Sequence, residues 1–164
     1  MPTTPLKIVP VTEIPVAEDA PTDDLLSVFR IITQMERVCV DNQGIGLSAV
    51  QVGIPWKLFI INRDGVFEYY LNCEYVGFGD KSKSIEGCLS LRTDDGNFRR
   101  FELERYPVVA IKGKQLKVSN TPSLVLEDVA RAENGIIAVV MQHEIDHQND
   151  ILISDIGKEI LLSC

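Results

Sequence analysis

The stretch Gly135-Ile136-Ile137-Ala138-Val139-Val140-Met141-Gln142 is almost wholly apolar and runs directly into His143-Glu144-Ile145-Asp146-His147. A helix apolar on nearly every side has to be buried over most of its surface, so the rest of the chain must be built around it. Sequence signals start this helix near Ala132 to Asn134 and end it at Asn149-Asp150. His143 and His147 are the chain's two histidines. Four residues apart, they lie one above the other on a single helical face. Two imidazoles placed that way can hold one metal ion, with Glu144 beside them to handle protons. The plainer alternative is a hydrogen-bonded pair of core histidines. A complete His-Glu-x-x-His on a buried helix favours the metal.

A cation that does chemistry usually takes three protein ligands and keeps one position open. With no third histidine, the third ligand must be a cysteine or a carboxylate. Cys88, in Ser84-Ile85-Glu86-Gly87-Cys88-Leu89-Ser90, sits between strand-like runs next to a glycine. Cys39 falls on the apolar seam of a helix, where it serves as a small hydrophobe. Cys164 is the last residue and is expected to be mobile. Cys73 follows a strand and stays open as an alternative. One thiolate and two neutral imidazoles would leave a net positive charge on a divalent ion, which lowers the pKa of bound water.

At 164 residues the chain is expected to form one domain, 1–164. The formal net charge of −8 argues against direct nucleic-acid binding. No apolar run reaches membrane-spanning length, and Met1 to Lys7 lacks the features of a secretory signal. The four cysteines form neither a CxxC pair nor a dense disulfide scaffold, so a reduced cytoplasmic compartment is expected. Residues 1–21 carry five prolines and read as an irregular arm with a short edge strand at Lys7-Ile8-Val9. Thr22 or Asp23 caps a helix through about Asp41, with a seam of Leu25, Val28, Phe29, Ile32, Met35, Glu36 and Cys39. Strands follow at Lys57–Asn62 and Val66–Asn72. A hairpin of Tyr106–Lys112 and Gln115–Ser119 turns at Lys112-Gly113-Lys114, and Leu124-Val125-Leu126 opens another strand. The fold expected is α+β: mainly antiparallel sheets packed around a central metal-binding helix, with an N-terminal helix.

Gln43 to Gly53 reads as a helix C-cap running into a loop, and its small residues let backbone approach a ligand closely. Taken together, Gly44-Ile45-Gly46-Leu47-Ser48-Ala49-Val50-Gln51, Glu86-Gly87-Cys88-Leu89-Ser90 and Gln142-His143-Glu144-Ile145-Asp146-His147 resemble the three signature motifs of peptide deformylases, in the same order. The resemblance runs from about Lys7 to Asp155. It implies that Cys88, His143 and His147 hold the metal, that Glu144 is the general acid/base, and that Gln51 and the Leu89 N–H form the oxyanion site. It also implies one divalent ion, usually ferrous iron, with zinc, nickel or cobalt able to substitute. It places an arginine, here Arg105, near the ligand cysteine; Asp146 is its natural partner, against a surface pair of little consequence.

The activity implied is removal of the formyl group from N-formylmethionine of nascent polypeptides. Hydroxide generated at the ion attacks the formyl carbon while Glu144 takes the water's proton and returns it to the leaving amine. A cramped site accepts formyl and excludes acetyl. The methionine side chain is expected against Ile45, Gly46, Ile136, Val139 and Val140, whose alternative role is core packing. Two competing readings are a zinc endopeptidase, which shares His-Glu-x-x-His, and a non-enzymatic metal-binding protein that keeps the fold. Departures from the family pattern are Ser48 in place of alanine, Gln148-Asn149-Asp150 after the second histidine, and Leu91-Arg92-Thr93-Asp94-Asp95-Gly96 in place of the usual proline. Asn149 is expected to supply a left-handed helix cap. Ile151-Leu152-Ile153 reads as a short strand or extended segment. The chain stops at Cys164, where bacterial members carry a further helix, which puts ribosome docking in doubt. A monomer is expected, cytoplasmic, or in a host cytoplasm or organelle if the source is viral or organellar.

Overall fold

The computed structural model describes residues 4–119 and 123–161. Helix α1 (Leu25–Asp41) is capped by Asp24, whose side chain accepts the Ser27 N–H at 3.1 Å. The cap is thus one residue later than Thr22 or Asp23, because only Asp24 reaches that orphan donor. Strands β1 (Gly46–Ser48), β2 (Leu58–Arg63), β3 (Val66–Phe78), β6 (Val108–Val118) and β7 (Leu124–Asn134) form one antiparallel sheet in the order β1-β2-β3-β6-β7. Strands β4 (Ser82–Glu86), β5 (Arg100–Arg105) and β8 (Lys158–Ile160) form a second sheet, with β5 in the middle. Helix α2 (Gly135–Gln148) follows β7 directly, and a one-turn helix α3 (Ile153–Ile156) precedes β8. The α+β architecture with antiparallel sheets and few helices is the one expected from the sequence.

The run Leu58-Phe59-Ile60-Ile61 explains the packing. Alternate strand residues face opposite sides, so Leu58 and Ile60 join α1 in one core while Phe59 and Ile61 join α2 in the other. A strand buried on both faces has no polar alternation to show. Glu36, the charged member of the α1 seam, accepts a hydrogen bond from the Tyr69 hydroxyl and so avoids an unpaired burial. α2 lies with Ile137, Ala138, Val140, Met141 and Ile145 against the larger sheet. Its histidine-bearing side faces the smaller one.

Four further expectations need correction. Lys7-Ile8-Val9 forms no strand; a single backbone bond, Val9 N–H to Gln51 O at 2.9 Å, ties the arm down there. Tyr106 to Ser119 is no hairpin, because β6 runs unbroken through Gly113. β3 carries a bulge between Leu71 and Glu74, and a Cβ on Gly113 would lie 2.5 Å from Cys73 Sγ and 2.7 Å from Cys73 Cα. That glycine answers a neighbouring strand's bulge, not a turn. The β6–β7 connection falls at 120–122, outside the described residues. Leu152 is extended, at φ −105° and ψ 153°, in line with the second option, but Ile153 opens α3, where Asp155 Oδ2 accepts the Leu152 N–H at 2.7 Å. Asn149 has φ −103°, and the left-handed residue is Asp150 at φ 61°. Asn149 instead donates its amide to the Ile145 carbonyl at 3.1 Å. Cys164 lies outside the described residues.

Candidate active site

Three elements meet on the α2 face turned toward the small sheet. Cys88 follows β4 and its Sγ lies 3.4 Å from Nε2 of His147. Ligand atoms of Cys88, His143 and His147 all fall within 4.8 Å of one another. Metal–sulfur bonds of about 2.3 Å and metal–nitrogen bonds of about 2.0 Å would require the three donors to close in around one ion. Burial drives the pKa of His147 well below the usual histidine value, which leaves the neutral imidazole that a metal requires. His143 gives its Nδ1 to Glu86 Oε1 at 2.9 Å, freeing Nε2 for the cluster. The donor set therefore suits one divalent ion of the softer kind.

Behind the cluster lies a buried charge network. Arg105 places Nε and Nη2 at 2.9 and 3.0 Å from the two Glu86 oxygens, and Nη1 at 2.5 Å from Asp146 Oδ2. Arg105 is 3% exposed and Asp146 7%, so the surface-pair alternative does not apply. Burial would raise the Glu86 carboxyl, but the His143 hydrogen bond and the Arg105 guanidinium outweigh it and hold it down at about 2. Tyr75 adds its hydroxyl to Asp146 at 3.4 Å.

In front of the cluster is a cleft of about 310 Å³, at the small end of ligand-pocket sizes. Cys88, Leu89, His143, Glu144 and Gln51 form its inner end. Ile45 and Gly46 line it from the β1 side, and Ile136, Val139 and Val140 from α2. Glu144 is 4% exposed, and its Oε2 has no hydrogen-bond partner among the described residues. Burial pushes its carboxyl up to about 7, the range in which one group can both accept and return a proton at neutral pH. A Cβ on Gly46 would sit 2.7 Å from Glu144 Oε1 and 2.9 Å from Val140 Cγ1. Only glycine leaves that carboxylate its place. Gln51 is fixed through Oε1, which accepts the Ser48 N–H at 2.9 Å. Its Nε2 donates to Ser90 Oγ at 3.0 Å and lies 3.4 Å from Cys88 Sγ. Ser48 is fully buried with its hydroxyl 3.5 Å from the Leu58 carbonyl, so the extra oxygen has a partner.

A family model for polypeptide deformylase matches residues 16–160. The peptide deformylase of Helicobacter pylori (strain G27) is 32% identical over 136 residues, covering 76% of this chain and 68% of that protein. The chain belongs to the polypeptide deformylase family. It is an enzyme of that kind. The peptide deformylase of Agrobacterium fabrum is 30% identical over 134 residues, covering 78% of this chain and 71% of its own. The crystal structure of a peptide deformylase from Synechococcus elongatus in complex with actinonin superposes with a TM-score of 0.75. It is 26% identical to this chain and covers 95% of it and 81% of its own.

Within this deformylase-family fold, the residues singled out from the sequence come together at one place. Cys88, His143 and His147 cluster, and Glu144, Gln51, Leu89, Ile45, Gly46, Ile136, Val139 and Val140 line the adjoining cleft. Cys73 is not in the donor cluster. It packs between β3 and β6 with Sγ 3.7 Å from the Lys114 carbonyl, and burial pushes its thiol up to about 11. Cys39 is equally inert, its thiol pushed by burial to about 12. Glu86 was read from the sequence as part of a motif and as a fallback ligand beside Cys73; the structure gives it instead to His143 and Arg105. Ile85, Phe98 and Arg100 also line the cleft and were not anticipated. Phe98 and Arg100 lie after the Leu91–Gly96 departure and outside the three motifs, so no motif pointed to them. Among the described residues, no helix is long and apolar enough to cross a membrane.

Proposed function

We propose that this chain removes the formyl group from N-formylmethionine at the start of nascent polypeptides, with Cys88, His143 and His147 holding one divalent ion, ferrous iron by family resemblance. The observation that carries the reading is the buried Glu144 carboxylate, its Oε2 without a partner among the described residues, at the inner end of a small cleft next to three convergent metal-ligand side chains. A bound divalent ion supplies Lewis acidity and a water of lowered pKa.

The protein's own groups do the rest. Glu144 takes a proton from the attacking water and delivers it to the amine nitrogen as the formyl C–N bond breaks, so that formate and a free amino terminus result. Gln51 Nε2 turns from Ser90 to the developing oxyanion, its Oε1 still held by the Ser48 N–H. The Leu89 N–H, which no described residue accepts, supplies a second donor. Ile45, Ile136, Val139 and Val140 take the methionine side chain. The buried charge network keeps His143 in the tautomer with Nδ1–H toward Glu86. Residues 1–164 act as one domain, as a monomer in the cytoplasm.

Formate release from formyl-Met-Ala-Ser, compared with acetyl-Met-Ala-Ser and with cleavage of an internal peptide bond, tests the reading. Turnover of the formyl peptide alone is the expected result. Cleavage of the internal bond would make this an endopeptidase, and no turnover at all by metal-loaded protein would make it a metal-binding protein only.

A further inference from the structure

Three large aliphatic side chains stand exposed around the mouth of the cleft: Ile45 at 49%, Ile85 at 59% and Ile136 at 62%. Exposed apolar groups gathered at one mouth mark a binding surface. Ile45 and Ile136 are already used for methionine. Ile85 is on the opposite wall, on β4, together with Phe98.

Phe98 is built to stay in place. It closes a small hairpin in which Arg92 and Phe98 face each other as an isolated bridge. The Arg92 guanidinium lies 4.0 Å from the ring centroid, and that of Arg100 lies 5.2 Å from it. Arg92 is itself anchored to the carbonyls of Asn42 and Gly96, both at 2.8 Å. A Cβ on Gly87 would be 3.3 Å from both Cβ and Cδ1 of Phe98, so the bare glycine lets the ring lie close against the end of β4. A rigid aromatic held in advance offers contact area without an ordering cost at binding.

We propose that Phe98 and Ile85 form an apolar subsite for the side chain of the residue that follows the formylmethionine, so that the enzyme favours a bulky apolar residue there. The proposal rests on the deformylase reading above. Successive side chains of an extended peptide point to opposite sides. With methionine turned toward α2, the next side chain turns toward the β4–β5 wall, where Ile85 and Phe98 stand. Phe98 closes the hairpin that contains Leu91–Gly96, the stretch in which this sequence departs from the family pattern.

The test is a series of amidated peptides, formyl-Met-X-Ser, with X = Gly, Ala, Leu and Phe. Leu and Phe should exceed Gly by about five- to tenfold in kcat/KM, mostly through KM. That is the return on burying roughly 40–55 Å² of apolar surface at ~25 cal/mol per Å². In Phe98→Ala and in Ile85→Asn the ratio should fall below about threefold. Ile85 is exposed on an edge strand, so its replacement leaves the core intact. Binding of the product peptides Met-Phe-Ser-amide and Met-Gly-Ser-amide, measured by calorimetry, carries the same comparison without turnover. Equal values for Gly and Phe in the native protein, or a preference unchanged in both variants, overturns the subsite. Failure to release formate from any peptide overturns the deformylase reading instead, and the product-binding ratio still decides the subsite.

Discussion

Glu86 Oε1 lies 2.9 Å from Nδ1 of His143, and the same carboxylate is held from behind by two nitrogens of Arg105. A carboxylate in that position fixes which imidazole nitrogen carries the proton and therefore which one is left for a metal. Glu86→Gln keeps the shape and removes the charge. Its metal affinity should fall by roughly 10- to 100-fold, the usual scale for an outer-sphere partner. Titration of the metal-free protein with ferrous or zinc ion checks this, and an unchanged affinity would reduce Glu86 to a structural role.

The ion pair between Arg105 and Asp146 should behave as one unit. Removing a single partner of a buried pair costs about 3–5 kcal/mol, because the other charge is left uncompensated. Arg105→Ala exposes Glu86 and Asp146 to that penalty at once. In a double-mutant cycle with Asp146→Ala, urea unfolding should give a coupling of roughly 1–3 kcal/mol. Simple additivity would show that the two side chains act independently despite their contact.

The central helix was legible because its signal is redundant. An apolar run, two histidines at helical spacing and a carboxylate between them agree on one buried element, and α2 spans the segment expected. Leu58 to Ile61 was legible as a strand for the same reason. What misled was chemistry whose cause lies on another strand. Lys112-Gly113-Lys114 looks like a turn, yet the glycine is there to clear the β3 bulge at Cys73. The Arg105 network was half-legible: both charges were visible, but burial, which decides their worth, depends on how the two sheets close over α2. Phe98 was invisible, because its position over the cleft is set by stacking on Arg92 of an irregular hairpin and on Arg100 at the start of β5.

Gly46→Ala should separate packing from catalysis. The added methyl would lie 2.7 Å from Glu144 Oε1 and 2.9 Å from Val140 Cγ1, so one or both must move. Displacing a proton-transfer group by about an ångström costs on the order of 10²-fold in rate. We expect a loss of at least tenfold in kcat, which saturating substrate does not recover, with bound metal retained. An unaffected kcat with a raised KM would place Gly46 in substrate binding alone.

Glu144→Ala, loaded anaerobically with ferrous iron, tests the central claim most directly when metal content and formate release from formyl-Met-Ala-Ser are measured on the same sample. We expect one metal per chain, as in the native protein, and a turnover lower by at least about 10²-fold. Near-native turnover with the metal bound would contradict the claim, and would show that the proton passes through some group other than Glu144.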